Sequence, residues 1–161
     1  MDLPLPRFRS RGYWLAQLAM VCPFCDAATR VAGVALPANH ETLDDAGDQD
    51  SAWQTVAANA LLFFITQIPR EAENHLRRLA PGFHRAASGP ADGESHWANH
   101  CEHCGALLDD QELHCEPGDT FVPITAAQGS KIRLIEFDEP FEASAAGYSL
   151  EPEFLPFTRR G

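Results

Sequence analysis

The sequence predicts an α+β fold: a small antiparallel β core with one four-cysteine site, and a partly helical insertion between the two cysteine pairs. Three observations carry this expectation. Two stretches, 13–36 and 95–114, each read as an extended run, a C-x-x-C turn and a second run that returns beside the first. Residues 69–80 carry the charge order of a helix, and residues 131–137 alternate as a strand does. The chain, 1–161, is read as a single domain, with 37–94 as the insertion.

The first unit is Tyr13 to Val21, then Cys22-Pro23-Phe24-Cys25, then Ala28 to Leu36. Arg7, Arg9 and Arg11 precede its apolar run, which gives it a superficial likeness to an export signal. Gln17 inside the run, and Val21 where a small residue should precede the Cys, argue against that reading. Residues 41–50 hold five acids and no base, with Gly47 among them, and read as a solvated loop. Ser51 and Gln54 suit a capping box. Trp53, Val56, Ala57, Ala60, Leu61, Phe64, Ile65 and Ile68 share one helical face, yet Leu61 to Thr66 equally suits a buried strand. The expectation for 52–67 is a short helix followed by a strand.

Pro69 suits a first helical residue, Glu71 and Glu73 the first turn, Arg77 and Arg78 the last, and Pro81-Gly82 the stop. Residues 86–94 read as a linker. The second unit is Ser95 to His100, then Cys101-Glu102-His103-Cys104-Gly105, then Ala106 to His114. Pro117-Gly118-Asp119 is a turn, and Thr120 to Thr125 an edge strand because of Pro123. Lys131 to Phe137 is a strand burying Ile132, Leu134 or Ile135, and Phe137. From Glu139 the tail is expected to wrap the surface.

Charge narrows the function classes. Twenty-three acids against twelve bases give −11, and Lys131 is the only lysine. Such a balance repels phosphate backbones and anionic lipid, so nucleic acid and membrane surfaces are disfavoured as partners. It suits a protein partner, especially a basic one, and it also serves plain solubility. Outside the first unit the longest uninterrupted apolar run, Ala60 to Ile65, is six residues, so no segment spans a bilayer as a helix. Five cysteines, four of them in C-x-x-C pairs, point to metal or redox chemistry in a reducing compartment, hence the cytoplasm.

The chemistry rests on those pairs. A C-x-x-C turn places two thiolates on one side of an ion, and a second such turn completes a tetrahedron. Cys22, Cys25, Cys101 and Cys104 supply this set. Here the chain resembles the zinc-ribbon group, through Cys22-Pro23-Phe24-Cys25 and Cys101-Glu102-His103-Cys104-Gly105. It is also similar to small bacterial proteins with a Trp-Ala-Asn-x-Cys-x-x-Cys-Gly element, here Trp97 to Gly105. The resemblance implies one structural Zn²⁺ on the four cysteines. It departs from a compact ribbon in spacing, because 75 residues separate Cys25 from Cys101.

Three alternatives accompany the ribbon reading. C-P-F-C also marks glutaredoxin-like thiol oxidoreductases, with Cys22 as nucleophile and Phe121-Val122-Pro123 as a mimic of their cis-proline loop. The residues after Cys25 are poor formers of the long helix that fold requires. A local metal site could instead draw on His96, His100, His103, His114 and Cys115 around the second pair. A nucleic-acid-binding ribbon would use Arg7, Arg9, Arg11, Arg77, Arg78 and Arg85, with Phe8, Tyr13 and Trp14 stacking on bases. No phosphate loop, His-Glu-x-x-His or Gly-x-Ser-x-Gly is present. A zinc saturated by four thiolates has no open position, so the expected protein is a non-enzymatic binding module of adaptor or immunity type. Its partner surface is expected on residues 41–85 or on the Phe-rich tail. Four thiolates around Zn²⁺ leave the site at −2 and the chain at about −13.

Overall fold

The computed structural model describes residues 7–43, 53–85, 96–108, 127, 131–150 and 159–160. Twelve strands and one helix lie within them: β1 Arg7–Ser10, β2 Tyr13–Val21, β3 Ala28–Leu36, β4 His40–Leu43, β5 Gln54–Val56, β6 Ala60–Gln67, α1 Arg70–Leu79, β7 His84–Arg85, β8 Trp97–His100, β9 Leu107–Leu108, β10 Arg133–Phe137, β11 Phe141–Leu150 and β12 Arg159–Arg160. Nine strands run in the order β12-β10-β2-β3-β6-β11-β1-β4-β5, and β8 leaves this path from β6, pairing with β7 and β9. The pairings are antiparallel except β10 with β12.

The expected α+β class is therefore corrected: the described chain is mainly antiparallel β, with one ten-residue helix. The stretch between the cysteine pairs is not a helical insertion either, because it supplies β4, β5 and β6 to the sheet, and β6 lies between β3 and β11. The physical reason is burial on both faces. Alternate residues of β2 enter different cores, Tyr13 and Leu15 one, Ala16 the other with Trp14, Leu18 and Met20 packed against it. Every residue from Val31 to Leu36 in β3 is buried. Strands covered on two sides read as continuous apolar runs and lose the alternation that identifies a strand.

β6 adds a second disguise. Ile65 pairs with Ala145 and Gln67 with Ser144, so β6 carries one extra residue there, and Phe64 has a positive φ of 54°. Such a bulge breaks the two-residue repeat. Leu62 and Ile65, with left-handed Phe64 between them, enter one core three positions apart, and Ile68 packs on that core three positions further on, across the bulge, a spacing that imitates a helix. The strand half of the expectation for 52–67 stands, and the helix half gives way to β5. Residue 51 and the acidic run 44–50 lie outside the described residues, as do 86–94, 117–119 and 120–125.

The helix falls where expected, beginning at Arg70 with Pro69 as its N-cap. Ala72 and Leu76 bury its inner face in the first core, and the Gln17 amide donates to the Leu79 carbonyl at 2.6 Å. Buried Tyr13 donates to Glu139, which also accepts from His75 Nε2 at 3.2 Å, so the helix is tied to β2 and to the start of β11. Burial, with the Glu139 carboxylate beside it, raises the Tyr13 phenol pKa. β10 confirms the alternation read in 131–137. The described part of the tail from Glu139 does not wrap the surface: residues 141–150 form β11 between β6 and β1, with Phe141, Ala143 and Ala145 in the first core, and 151–158 lie outside the described residues.

Candidate metal centre

Each cysteine pair sits in the turn of a hairpin, the first between β2 and β3, the second between β8 and β9. The two turns repeat each other bond for bond. In the first, Cys22 N donates to Ala27 O and Asp26 N to Cys22 O, both at 2.9 Å. In the second, Cys101 N donates to Ala106 O at 2.9 Å and Gly105 N to Cys101 O at 3.0 Å. The residue after each second cysteine is left-handed, Asp26 at φ 63° and Gly105 at φ 76°. Backbone amides also point at sulfur: Phe24 N lies 3.4 Å from Cys22 Sγ, and His103 N 3.4 Å from Cys101 Sγ. Amides directed at sulfur stabilise thiolate.

The hairpins bring the four sulfurs together. Cys22 Sγ lies 3.7 Å from Cys104 Sγ and Cys25 Sγ 3.6 Å from Cys101 Sγ, and all four lie within 4.8 Å of one another. Cys22 and Cys101 are buried in the second core, whereas Cys25 and Cys104 are exposed. These four cysteines form a group that could hold a metal ion.

Their ionisation is uneven. The Cys101 thiol is drawn down to about 6, chiefly by the Cys104 amide and also by that of His103. The Ala27 amide favours the Cys25 thiolate, but desolvation and the three neighbouring cysteines together push that thiol up to about 12. One thiolate forms readily, and further negative charge beside it is opposed. A cation at the centre removes that opposition.

Outer contacts hold the second turn against β3. Glu102 N donates to Thr29 Oγ1 at 3.0 Å, and His103 Nε2 donates to Ala28 O at 3.0 Å. The Glu102 carboxylate accepts from Arg30 N at 2.7 Å, Nε at 3.2 Å and Nη2 at 2.7 Å, which lowers its pKa to about 2. Below, fully buried Asn99 exchanges two 2.9 Å hydrogen bonds with the backbone of Ala32 and so acts as a strand partner in side-chain form. Sequence reasoning missed these supports. Their one signal was Asn99, a polar residue inside an otherwise strand-like run beside a cysteine pair.

Gly105 supplies a clean test of the turn. A Cβ there meets nothing within 4 Å, so alanine would suffer only from the positive φ. Gly105→Ala is expected to cost about 1 kcal/mol, seen as a drop of about 2–4 °C in Tm. A loss several times larger would show that the site demands more of this position than its backbone angle.

The rival readings meet different fates. After Cys25 the chain turns directly into β3, so Cys22 does not stand at the helix N-terminus that a glutaredoxin-like nucleophile requires. Residues 121–123 lie outside the described residues. Around the second pair, His100 donates from Nδ1 to Gly82 O at 3.0 Å and stacks on His84, His96 stacks edge-on against Phe64, and His114 and Cys115 lie outside the described residues. Of the aromatics suggested for base stacking, Phe8 and Tyr13 are buried. Arg7 pairs with Glu142 at 3.2 Å, Arg9 with Glu41 at 2.9 Å and Arg77 with Glu73 at 2.7 Å. No described helix is long and apolar enough to cross a membrane. No family model, curated protein or solved structure matches the chain.

Proposed function

We propose that this is a non-enzymatic zinc-binding protein, in which Cys22, Cys25, Cys101 and Cys104 hold one structural Zn²⁺ and the surrounding fold serves as a protein-interaction module. The sulfur spacing carries the reading. A tetrahedral zinc with bonds of about 2.3 Å holds its sulfurs about 3.8 Å apart, and the cross-hairpin pairs lie at 3.7 and 3.6 Å. The all-sulfur donor set suits zinc over the harder cations magnesium and calcium. Four protein ligands leave no position for water or substrate, so the ion's role is to join the two hairpins.

The interaction role is supported by the −11 charge, which favours a basic protein partner in a cytoplasmic setting. Val21 and Phe24 on the first hairpin and Leu107 on the second are exposed large apolar side chains. Elemental analysis of purified protein tests the metal assignment. One zinc per chain, lost in Cys22→Ser, is expected. A chain that is fully folded with no zinc, or with zinc retained in Cys22→Ser, contradicts it.

A further inference from the structure

A second concave feature lies apart from the cysteines, where the end of β1, the β3–β4 turn, β5, Pro69 and the start of β11 enclose a cleft of about 760 Å³. That volume falls within the range of small-molecule sites. Its charged groups almost cancel. Arg9 is held by Glu41, with Nε at 2.9 Å and Nη2 at 3.3 Å, and its guanidinium lies 4.0 Å over the Trp53 ring. Glu142 is paired with Arg7. Arg11 is the remainder: it lines the cleft, is exposed, and has no described carboxylate at ion-pair distance, although its field lowers the Glu41 pKa.

An independent feature of the same wall has the same sign. Pro69 is the N-cap of α1 and makes no side-chain cap hydrogen bond, so the positive end of a ten-residue helix opens at the cleft. Of the two acids in that first turn, Glu73 is engaged by Arg77 at 2.7 Å. The remaining walls are apolar in part, through Pro37, Ala38, Pro140 and Phe141.

We propose that this cleft binds a small organic monocarboxylate, its carboxylate on Arg11 at the helix end and its apolar body against the proline and phenylalanine walls. Among the described residues the lining has one uncompensated cation, which calls for one negative charge. Glu41 and Glu142 in the lining, within a chain of −11, oppose a second negative charge and therefore a phosphate dianion. The site shares no residue with the cysteine centre and stands whether or not zinc is bound there.

Amide NMR titration of the intact protein tests this with three probes: benzoate, its neutral analogue benzamide, and inorganic phosphate. Benzoate is expected to give saturable shifts at Ser10, Gly12, Asn39 and Thr55, with benzamide at least tenfold weaker. Arg11→Gln, at an exposed position, should keep the parent's dispersed spectrum and weaken benzoate about tenfold, while Arg11→Lys retains most of the affinity. The proposal is overturned by equal binding of benzamide, by an unchanged benzoate affinity in Arg11→Gln, by phosphate binding tighter than benzoate, or by no saturable shift at these amides.

Discussion

Gly82→Ala is expected to lower Tm by about 10–15 °C and to speed the loss of metal to a chelator. A Cβ at this position would stand 1.8 Å from the His100 carbonyl oxygen and 2.8 Å from its carbon. Both are backbone atoms and cannot swing aside. The same two residues are joined by His100 N donating to Gly82 O at 2.8 Å, with His100 Nδ1 donating to that oxygen at 3.0 Å. Alanine must therefore push β8 away and strand buried polar groups, together about 4 kcal/mol. That is a large share of a domain's usual 5–15 kcal/mol, and for a chain of this size each kcal/mol moves Tm by about 2–4 °C. Because His100 precedes Cys101, the displacement reaches the cysteine centre directly. Thermal denaturation and chelator-release kinetics on the same sample check both halves. A Tm within 3 °C of the parent would falsify the close approach.

Loss of the metal is expected to be at least as severe. Cys22 and Cys101 belong to the second core together with Ala16, Val31, Leu61, Leu108 and Leu134. With the proposed zinc removed, the thiols must take up protons inside that cluster, and the two hairpins keep the hydrogen bonds of Glu102, His103 and Asn99 and the packing of Leu108 against Ala16 and Val31. Zinc binding in small structural sites is worth about 10–16 kcal/mol, comparable with the whole stability of a domain. Cys101→Ser, or the parent stripped by a strong chelator, should lose more than 10 °C in Tm and exchange the amides of β8 and β9 freely. Restoring zinc should reverse this in the parent but not in Cys101→Ser. A stripped parent with an unchanged Tm and protected β8 amides is the contrary result.

What could be read from the residues was local. The hairpin β2–β3 and the turn Cys22 to Cys25 follow from an apolar run, a proline and a cysteine pair, and α1 follows from Pro69, its acids and its arginines. Non-local pairing was hidden. β11 escaped notice because two of the three residues it turns to the first core, Ala143 and Ala145, are weak apolar signals beside Phe141. β6 imitated a helix because Phe64 and the bulge after it shift its buried positions. Gly82 was legible as the residue that stops α1, but its approach to His100 crosses 18 positions of sequence. The cleft around Arg11 draws on five separate segments, and no single stretch of sequence announces it.

The place of β6 in the sheet has a consequence for biosynthesis. One of its sheet neighbours, β3, precedes it, but β11 follows it by more than seventy residues. At a translation rate of about 5–20 residues per second, the apolar edge of β6 leaves the ribosome about 4–15 s before β11 can cover it. Cys22 and Cys25 wait a similar time for Cys101 and Cys104. A nascent chain in this interval displays an unpaired strand edge and half of the cysteine group together, so its yield of native protein should depend on chaperone supply and, with the proposed zinc as the ligand, on free zinc during synthesis.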